Sequence, residues 1–205
     1  MSKKDFFIDH DQKAIINGWD DKYLREVISI WNKEVPEHIQ RFNSYNEDRN
    51  SVIYFALFME YHVNRSLEIL FPDFNSFLDF SNTAISVKIN MLASFRLFPK
   101  QIFEACRCIN NIRNEFAHEF SITKIEELEQ LPADRKRKTI DKLVLLTNEY
   151  SGDYDEYVTV SDTAKNRFKT LVMNTITAFR IYEPLAKKLR EQIESNTFLK
   201  EDKKS

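Results

Sequence analysis

The stretch of sequence that decides the fold is residues 108–120, CINNIRNEFAHEF. Its apolar residues recur at three- and four-residue steps, which predicts an amphipathic helix. The pattern extends upstream to Pro99, which suits the first turn of a helix because the amide that proline lacks has no partner there. The apolar side of this predicted helix comprises Ile102, Phe103, Cys106, Ile109, Ile112, Phe116 and Phe120.

Five further stretches show the same spacing of apolar residues and are also predicted to be helices. They span about residues 20–42, 51–70, 82–95, 140–150 and 161–193. Pro184 should kink the last and longest of them. The chain has only 2 Gly, whereas sheet-rich folds need glycine for their tight turns. The sequence therefore predicts an all-α helical bundle with a long C-terminal helix, and Tyr157–Val160 is its one candidate strand.

The chain divides into a lead-in, one domain and a tail. Residues 1–20 form the lead-in, residues 21–196 a single helical domain, and residues 197–205 a polar tail. The apolar stripe of the last helix is long enough either to span the whole bundle or to serve a dimer interface as well.

Composition excludes several classes of protein. A formal net charge of -2 is not that of a strongly basic nucleic-acid binder, so any such contact needs a local patch. The basic run at residues 135–138 could touch a phosphate backbone, although mixed charges flank it and a solvated helix face is the favoured interpretation. With 2 Gly, a P-loop is excluded. We expect no cofactor and no metal site, since no histidine or cysteine has the spacing of a metal ligand.

Charges at the start of the chain and the short apolar runs predict a cytoplasmic protein with no membrane association. Cys106 and Cys108 lie two residues apart, on roughly opposite sides of a helix, so they cannot pair with each other. That cysteine usage fits a reducing compartment. Cys106 is expected to pack as a small apolar residue.

The polar residues of the 108–120 helix are the candidates for chemistry. Asn114 and His118 lie one turn apart on one face, and Glu115 lies three residues before His118. Arg113 and His118 are about 140° apart around an ideal helix. They can converge only through the long side chain of Arg113, a distortion of the helix, or a partner subunit.

These residue types suit metal-independent cleavage of RNA. A histidine that titrates near neutral pH can transfer protons. A guanidinium can hold a phosphate through two hydrogen bonds and stabilise the charge that develops on it. An asparagine can orient the phosphate or the imidazole. The structural alternative is that the same residues supply only capping and ion pairs at the end of a helix.

The segment INNIRNEFAHEF resembles the motif helix of the HEPN superfamily, whose signature is an arginine, four to six residues, and a histidine. In that signature a polar residue, often asparagine, follows the arginine, and Asn114 fills that place. The segment is most similar to the branch that contains the mannitol operon repressor-like proteins. The resemblance covers about residues 45–122, and residues 123–205 show none.

This resemblance implies a helical bundle, commonly a homodimer, in which two motif helices face each other across a cleft. It also implies a metal-independent endoribonuclease used as a toxin or in phage defence, with RNA as substrate and an antitoxin or regulatory protein as a further partner. By the same resemblance Arg113 contacts the scissile phosphate, His118 transfers protons and Asn114 orients.

Four other residues are weaker candidates for contacts with substrate. Glu115 and Glu60 could line the cleft, while Lys88 and Arg107 could add positive charge near Arg113. A surface or interhelix hydrogen bond is the favoured interpretation of Glu60, and ordinary ion pairs would explain Lys88 and Arg107 equally well.

Two further observations bear on function. HEPN toxins with a nucleotidyltransferase antitoxin often carry a tyrosine two residues after the histidine, whereas this chain has Phe120 there, with no hydroxyl to modify. The alternatives to an endoribonuclease are a non-catalytic regulator like the mannitol operon repressor, or an interaction module that uses residues 123–205. The sequence shows no helix-turn-helix with a basic recognition helix.

Overall fold

The computed structural model of the chain describes residues 47–71, 82–151 and 163–201, together with residue 29 and residues 36–38 and 40–45. The candidate strand at Tyr157–Val160 and the lead-in at residues 1–20 lie outside the described residues. So do the last four residues of the predicted tail.

The described part of the chain is all-α and contains no strand, which confirms the predicted fold class. Residues 36–38 and 40–44 are helical as well. The principal elements are α1 (Asp48–Leu70), α2 (Ile85–Ser94), α3 (Lys100–His118), a 3₁₀ helix (Ile125–Gln130), α4 (Ala133–Lys138), α5 (Ile140–Ser151) and α6 (Ala164–Glu201).

The core lies between α1, α3 and α6, and α1 and α6 form the most extensive helix–helix contact. The apolar stripe of each helix supplies fully buried side chains, such as Phe55 from α1, Ile109 from α3 and Phe168 from α6. Burying a side chain of this size stabilises the fold by roughly 1.5–3 kcal/mol. The predicted stripes of these three helices therefore do face the core where the structure describes them.

The helix α3 is enclosed on most sides, because it contacts α1, α2, α5 and α6. Helical spacing places Arg107, Asn114 and His118 on the face that remains, and both Arg107 and His118 are exposed. The other helices thus leave uncovered the face of α3 that carries Asn114 and His118 of the predicted motif.

Phe120 was predicted on the buried side of the motif helix, and this is wrong. The helix ends at His118, so residue 120 no longer follows the helical spacing that would turn it inward. Phe120 is 85% exposed. The 3₁₀ helix was not predicted either, because its two buried residues, Ile125 and Leu128, are too few to form a periodic pattern.

Both cysteines are free and buried, which confirms the predicted packing of Cys106. Burial raises the pKa of the Cys106 thiol and raises that of Cys108 to about 12. In the described residues we find no helix whose length and apolarity together would let it cross a membrane.

A buried histidine lies between α1 and α6. His62 is 2% exposed, with its ring edge-on to Phe58 and parallel to that of Phe179. Burial, reinforced by the charges of Arg180 and Arg65, lowers the pKa of His62 to about 4. The folded protein therefore holds this imidazole neutral.

We expect the protein to lose stability as the pH falls below 6.5. The unfolded chain takes up a proton on His62 near pH 6.5, whereas the folded chain does so only near pH 4. Between these values the unfolded state binds more protons, so the free energy of unfolding falls by about 1.4 kcal/mol per pH unit, or about 2 kcal/mol between pH 6.5 and 5. Urea unfolding at pH 7, 6 and 5 measures this loss.

The control is His62→Phe, which keeps an aromatic ring but cannot be protonated. Its stability should depend much less on pH between 6.5 and 5, and an unchanged dependence would contradict the assignment to His62. Glu183 titrates in another range. Burial opposes its ionisation, but hydrogen bonds from Arg65 and Lys187 lower its pKa to about 2, so its contribution is lost only below about pH 4.5.

Candidate functional site

The C-terminal half of α3 presents the motif residues at different depths. His118 is exposed, whereas Arg113, Asn114 and Glu115 are half-buried. The apolar residues Ile112 and Phe116, which alternate with them, are fully buried and fix the helix against the core. The polar side chains are therefore carried by a helix turn that cannot rotate without disrupting the core.

Arg113 and Asn114 are in direct contact. The Nη1 atom of Arg113 donates a hydrogen bond to Oδ1 of Asn114 over 3.0 Å. Asn114 shares a face of α3 with His118, so this bond places the guanidinium of Arg113 next to a residue of that face. No hydrogen bond among the described residues joins Arg113 to His118 itself.

Glu115 and Glu119, on either side of His118 in sequence, both pair with Arg135 of α4. Nε of Arg135 donates to Oε2 of Glu115 over 3.0 Å, and Nη2 donates to the same oxygen and, over 3.1 Å, to Oε1 of Glu119. The first arginine of the basic run is thus an ion-pair partner of the motif helix. Glu115 is occupied by this pair.

The C-terminus of α3 is capped by Arg49 from α1. Its guanidinium donates hydrogen bonds to four backbone carbonyl oxygens, those of Phe116, Glu119, Phe120 and Ile122. Its Cζ atom also lies 5.9 Å from the ring centre of Phe116 and 5.6 Å from that of Phe120. The carbonyl of Phe116 belongs to the last turn of α3, where it has no partner within the helix. The other three belong to the segment that follows the helix, in which the carbonyl of Glu119 also accepts a hydrogen bond from the amide of Ile122. Arg49 therefore joins the last turn of α3 to the chain that leaves it.

The two arginines change the electrostatics around His118. The C-terminal end of a helix carries partial negative charge, and two carboxylates beside it would add to the repulsion of a phosphate. Arg49 donates hydrogen bonds to the carbonyls, and Arg135 forms ion pairs with both carboxylates. The two cations thereby offset the negative charge at this end of the helix. Arg137 and Lys138 of α4 remain exposed, and Asn111 ties this segment to α3 through a 3.3 Å hydrogen bond to the carbonyl of Lys138.

The weaker candidates make contacts between helices. Lys88 of α2, whose side chain is 3% exposed, pairs with Oε1 of Glu60 of α1 at 3.0 Å. Arg107 donates a 2.8 Å hydrogen bond to Asn90 of α2. These contacts attach α2 to its neighbours, and a role of these residues in binding substrate stays a prediction.

Arg49 is the functional-site residue that sequence reasoning missed. Its partners lie 67 to 73 residues away along the chain, and Arg49 itself sits in a polar stretch, at residues 43–50, that resembles a connection. The one local signal was the absence of a glycine after His118, since helices commonly end on a glycine whose conformation lets the following backbone amides bond the last helical carbonyls.

Comparison with known proteins does not extend this description. No family model, no curated protein and no solved structure matches the chain. Within the ranges that the structure describes, no three histidine, cysteine, aspartate or glutamate side chains form a group suited to a metal ion.

Proposed function

We propose that the protein is an HEPN-type endoribonuclease of the cytoplasm that cleaves RNA without a metal ion, with Arg113 and His118 as its catalytic residues. The observation that carries this proposal is the hydrogen bond from Arg113 to Asn114, one turn from an exposed His118. It supports the idea of a guanidinium and an imidazole serving one open face of α3.

In the proposed reaction His118 removes the proton from the RNA 2′-hydroxyl. The 2′-oxygen then attacks the adjacent phosphorus, the bond from phosphorus to the 5′-oxygen breaks, and that oxygen takes a proton from an imidazolium or from water. Arg113 binds the non-bridging oxygens and stabilises their charge, and Asn114 orients Arg113. The products are a 2′,3′-cyclic phosphate and a 5′-hydroxyl.

A homodimer is part of the proposal. Arg113 and His118 leave α3 in directions about 140° apart, and two motif helices facing each other would let one phosphate meet an arginine of one subunit and a histidine of the other. A toxin or phage-defence role, with an antitoxin or regulatory partner, is what the resemblance of residues 108–120 implies for such an enzyme.

The proposal predicts that the wild-type chain cleaves single-stranded RNA in excess EDTA, because only side chains take part in the chemistry. Mass spectrometry of the fragments should find 2′,3′-cyclic phosphate and 5′-hydroxyl ends. A DNA of the same sequence should remain intact, since it lacks the attacking 2′-hydroxyl. Cleavage that EDTA abolishes, or fragments with 5′-phosphates, would reject this mechanism.

A second candidate is a non-catalytic regulator, as in the mannitol operon repressor-like proteins. What favours it is that Arg113 and Glu115 already have partners within the chain, Asn114 and Arg135, so the motif also stabilises the end of α3. In that case Arg113→Ala should lower thermal stability or dimerisation, and the wild-type protein should cleave no RNA.

A further inference from the structure

Phe120 is the most exposed of the large apolar residues that the structure describes, at 85%. A single exposed apolar side chain is ordinary on a protein surface, so exposure alone decides nothing. What distinguishes Phe120 is its place, two residues after His118 and directly beyond the end of α3, and the way in which its ring is held.

The ring of Phe120 lies against a fixed cation. The Cζ atom of Arg49 is 5.6 Å from the centre of this ring. The guanidinium is itself fixed in position, because it donates hydrogen bonds to the carbonyls of Phe120, Glu119 and Ile122 at 3.2, 3.1 and 2.8 Å. The ring is therefore supported from one side, and its high exposure leaves the rest of its surface open to solvent.

A supported, open aromatic ring beside a phosphate-cleaving histidine has the properties of a base-stacking platform. Unpaired bases stack on aromatic side chains, and such stacking is tolerant of sequence because every base has an aromatic face. The cation of Arg49 under the ring and the exposed basic residues of α4 add attraction for the sugar-phosphate chain.

We propose that Phe120 stacks on an unpaired base next to the scissile phosphate and so selects single-stranded RNA; this inference rests on the proposed endoribonuclease function. A base within a duplex is already stacked on both sides, so it cannot occupy the ring without unpairing. The site thereby gains a preference for loops and single strands without reading their sequence.

The test measures RNA affinity with cleavage disabled. In a His118→Ala parent, fluorescence anisotropy with a labelled 12-nucleotide single-stranded RNA should show that an added Phe120→Ala weakens binding about 5- to 150-fold, the effect of losing one stacked base. Phe120→Trp should bind as tightly as the parent or more tightly. A fully paired RNA duplex should bind the three proteins equally, and an added Leu57→Ala, which removes another exposed apolar side chain, should change nothing.

The possible failures are distinguishable. Equal single-strand affinity of the Phe120→Ala variant and its parent would overturn the stacking proposal and leave the nuclease proposal standing. A parent that binds no RNA, together with a wild type that cleaves none, would overturn both. If Phe120→Ala shifts the mass measured by light scattering from dimer to monomer and leaves RNA affinity unchanged, Phe120 contacts a second copy of the chain and the stacking proposal is wrong.

Discussion

Replacing His118 with alanine should lower the rate of RNA cleavage about 10²- to 10⁴-fold, the contribution that a positioned acid–base group makes. His118 is exposed at the last residue of α3, so its side chain can be removed without leaving a cavity in the core. Initial rates on a single-stranded RNA, followed by gel electrophoresis, measure the loss. Thermal unfolding of the same samples should be almost unchanged.

Arg113 variants extend this prediction. Arg113→Ala should lower the rate of cleavage about 10²-fold or more, which is the effect of removing one hydrogen-bond donor that stabilises the charge of a transition state. Arg113→Lys keeps the charge but not the planar pair of donors, so it should restore only part of the rate. Lys187→Ala, which removes an exposed cation of α6, is the matched control and should cleave as the wild type does. Full activity of His118→Ala would refute the nuclease proposal.

A mixing experiment tests whether the site is shared between subunits. If a phosphate meets Arg113 of one subunit and His118 of the other, a heterodimer of Arg113→Ala and His118→Ala chains has one intact site. An equimolar exchange mixture, half of which is heterodimer, should then recover about a quarter of wild-type activity. Recovery of no activity would place both residues of a working site on one chain.

The helices around this site could be predicted because their cause is local. The apolar residues of α1, α3 and α6 recur every three or four positions over many turns. Such a pattern indicates a helix with one buried side and fits few other structures. The same reasoning predicted that Asn114 and His118 are neighbours, since residues four apart on a helix lie on one face.

The parts that could not be predicted have causes far away in the sequence. Phe120 is exposed because α3 ends at His118, and Arg49, about 70 residues earlier, bonds both the carbonyl of Phe116 in the last turn and those of Glu119 and Phe120 beyond it. Arg135 belongs to a run of four basic residues that is typical of a solvated face, yet its partners are fixed by the turn that brings α4 against α3. Periodicity carries no information on either contact.

Arg49 should matter more to stability than any other exposed or half-buried residue of the site. We expect Arg49→Met, which keeps an unbranched chain of similar length, to lower the free energy of unfolding by about 4 kcal/mol. The reason is that a hydrogen bond from a charged donor contributes about 1.5–3 kcal/mol. Four carbonyls share this guanidinium, and in the variant water can bond the more accessible of them, such as that of Phe120, so the expected loss is that of about two bonds rather than four. For a chain of this size the melting temperature should fall by about 8–16 °C.

Urea unfolding followed by circular dichroism measures the change, and two variants make the result specific. Arg49→Lys retains the charge but reaches fewer carbonyls at once, so it should fall between the wild type and Arg49→Met. Arg41→Met removes an exposed arginine whose partners are Glu37 and Tyr54, and its melting temperature should hardly change because exposed ion pairs contribute little. If Arg49→Met were as stable as Arg41→Met, the capping of α3 by Arg49 would not hold its C-terminus. The position of His118 and Phe120 would then need another cause.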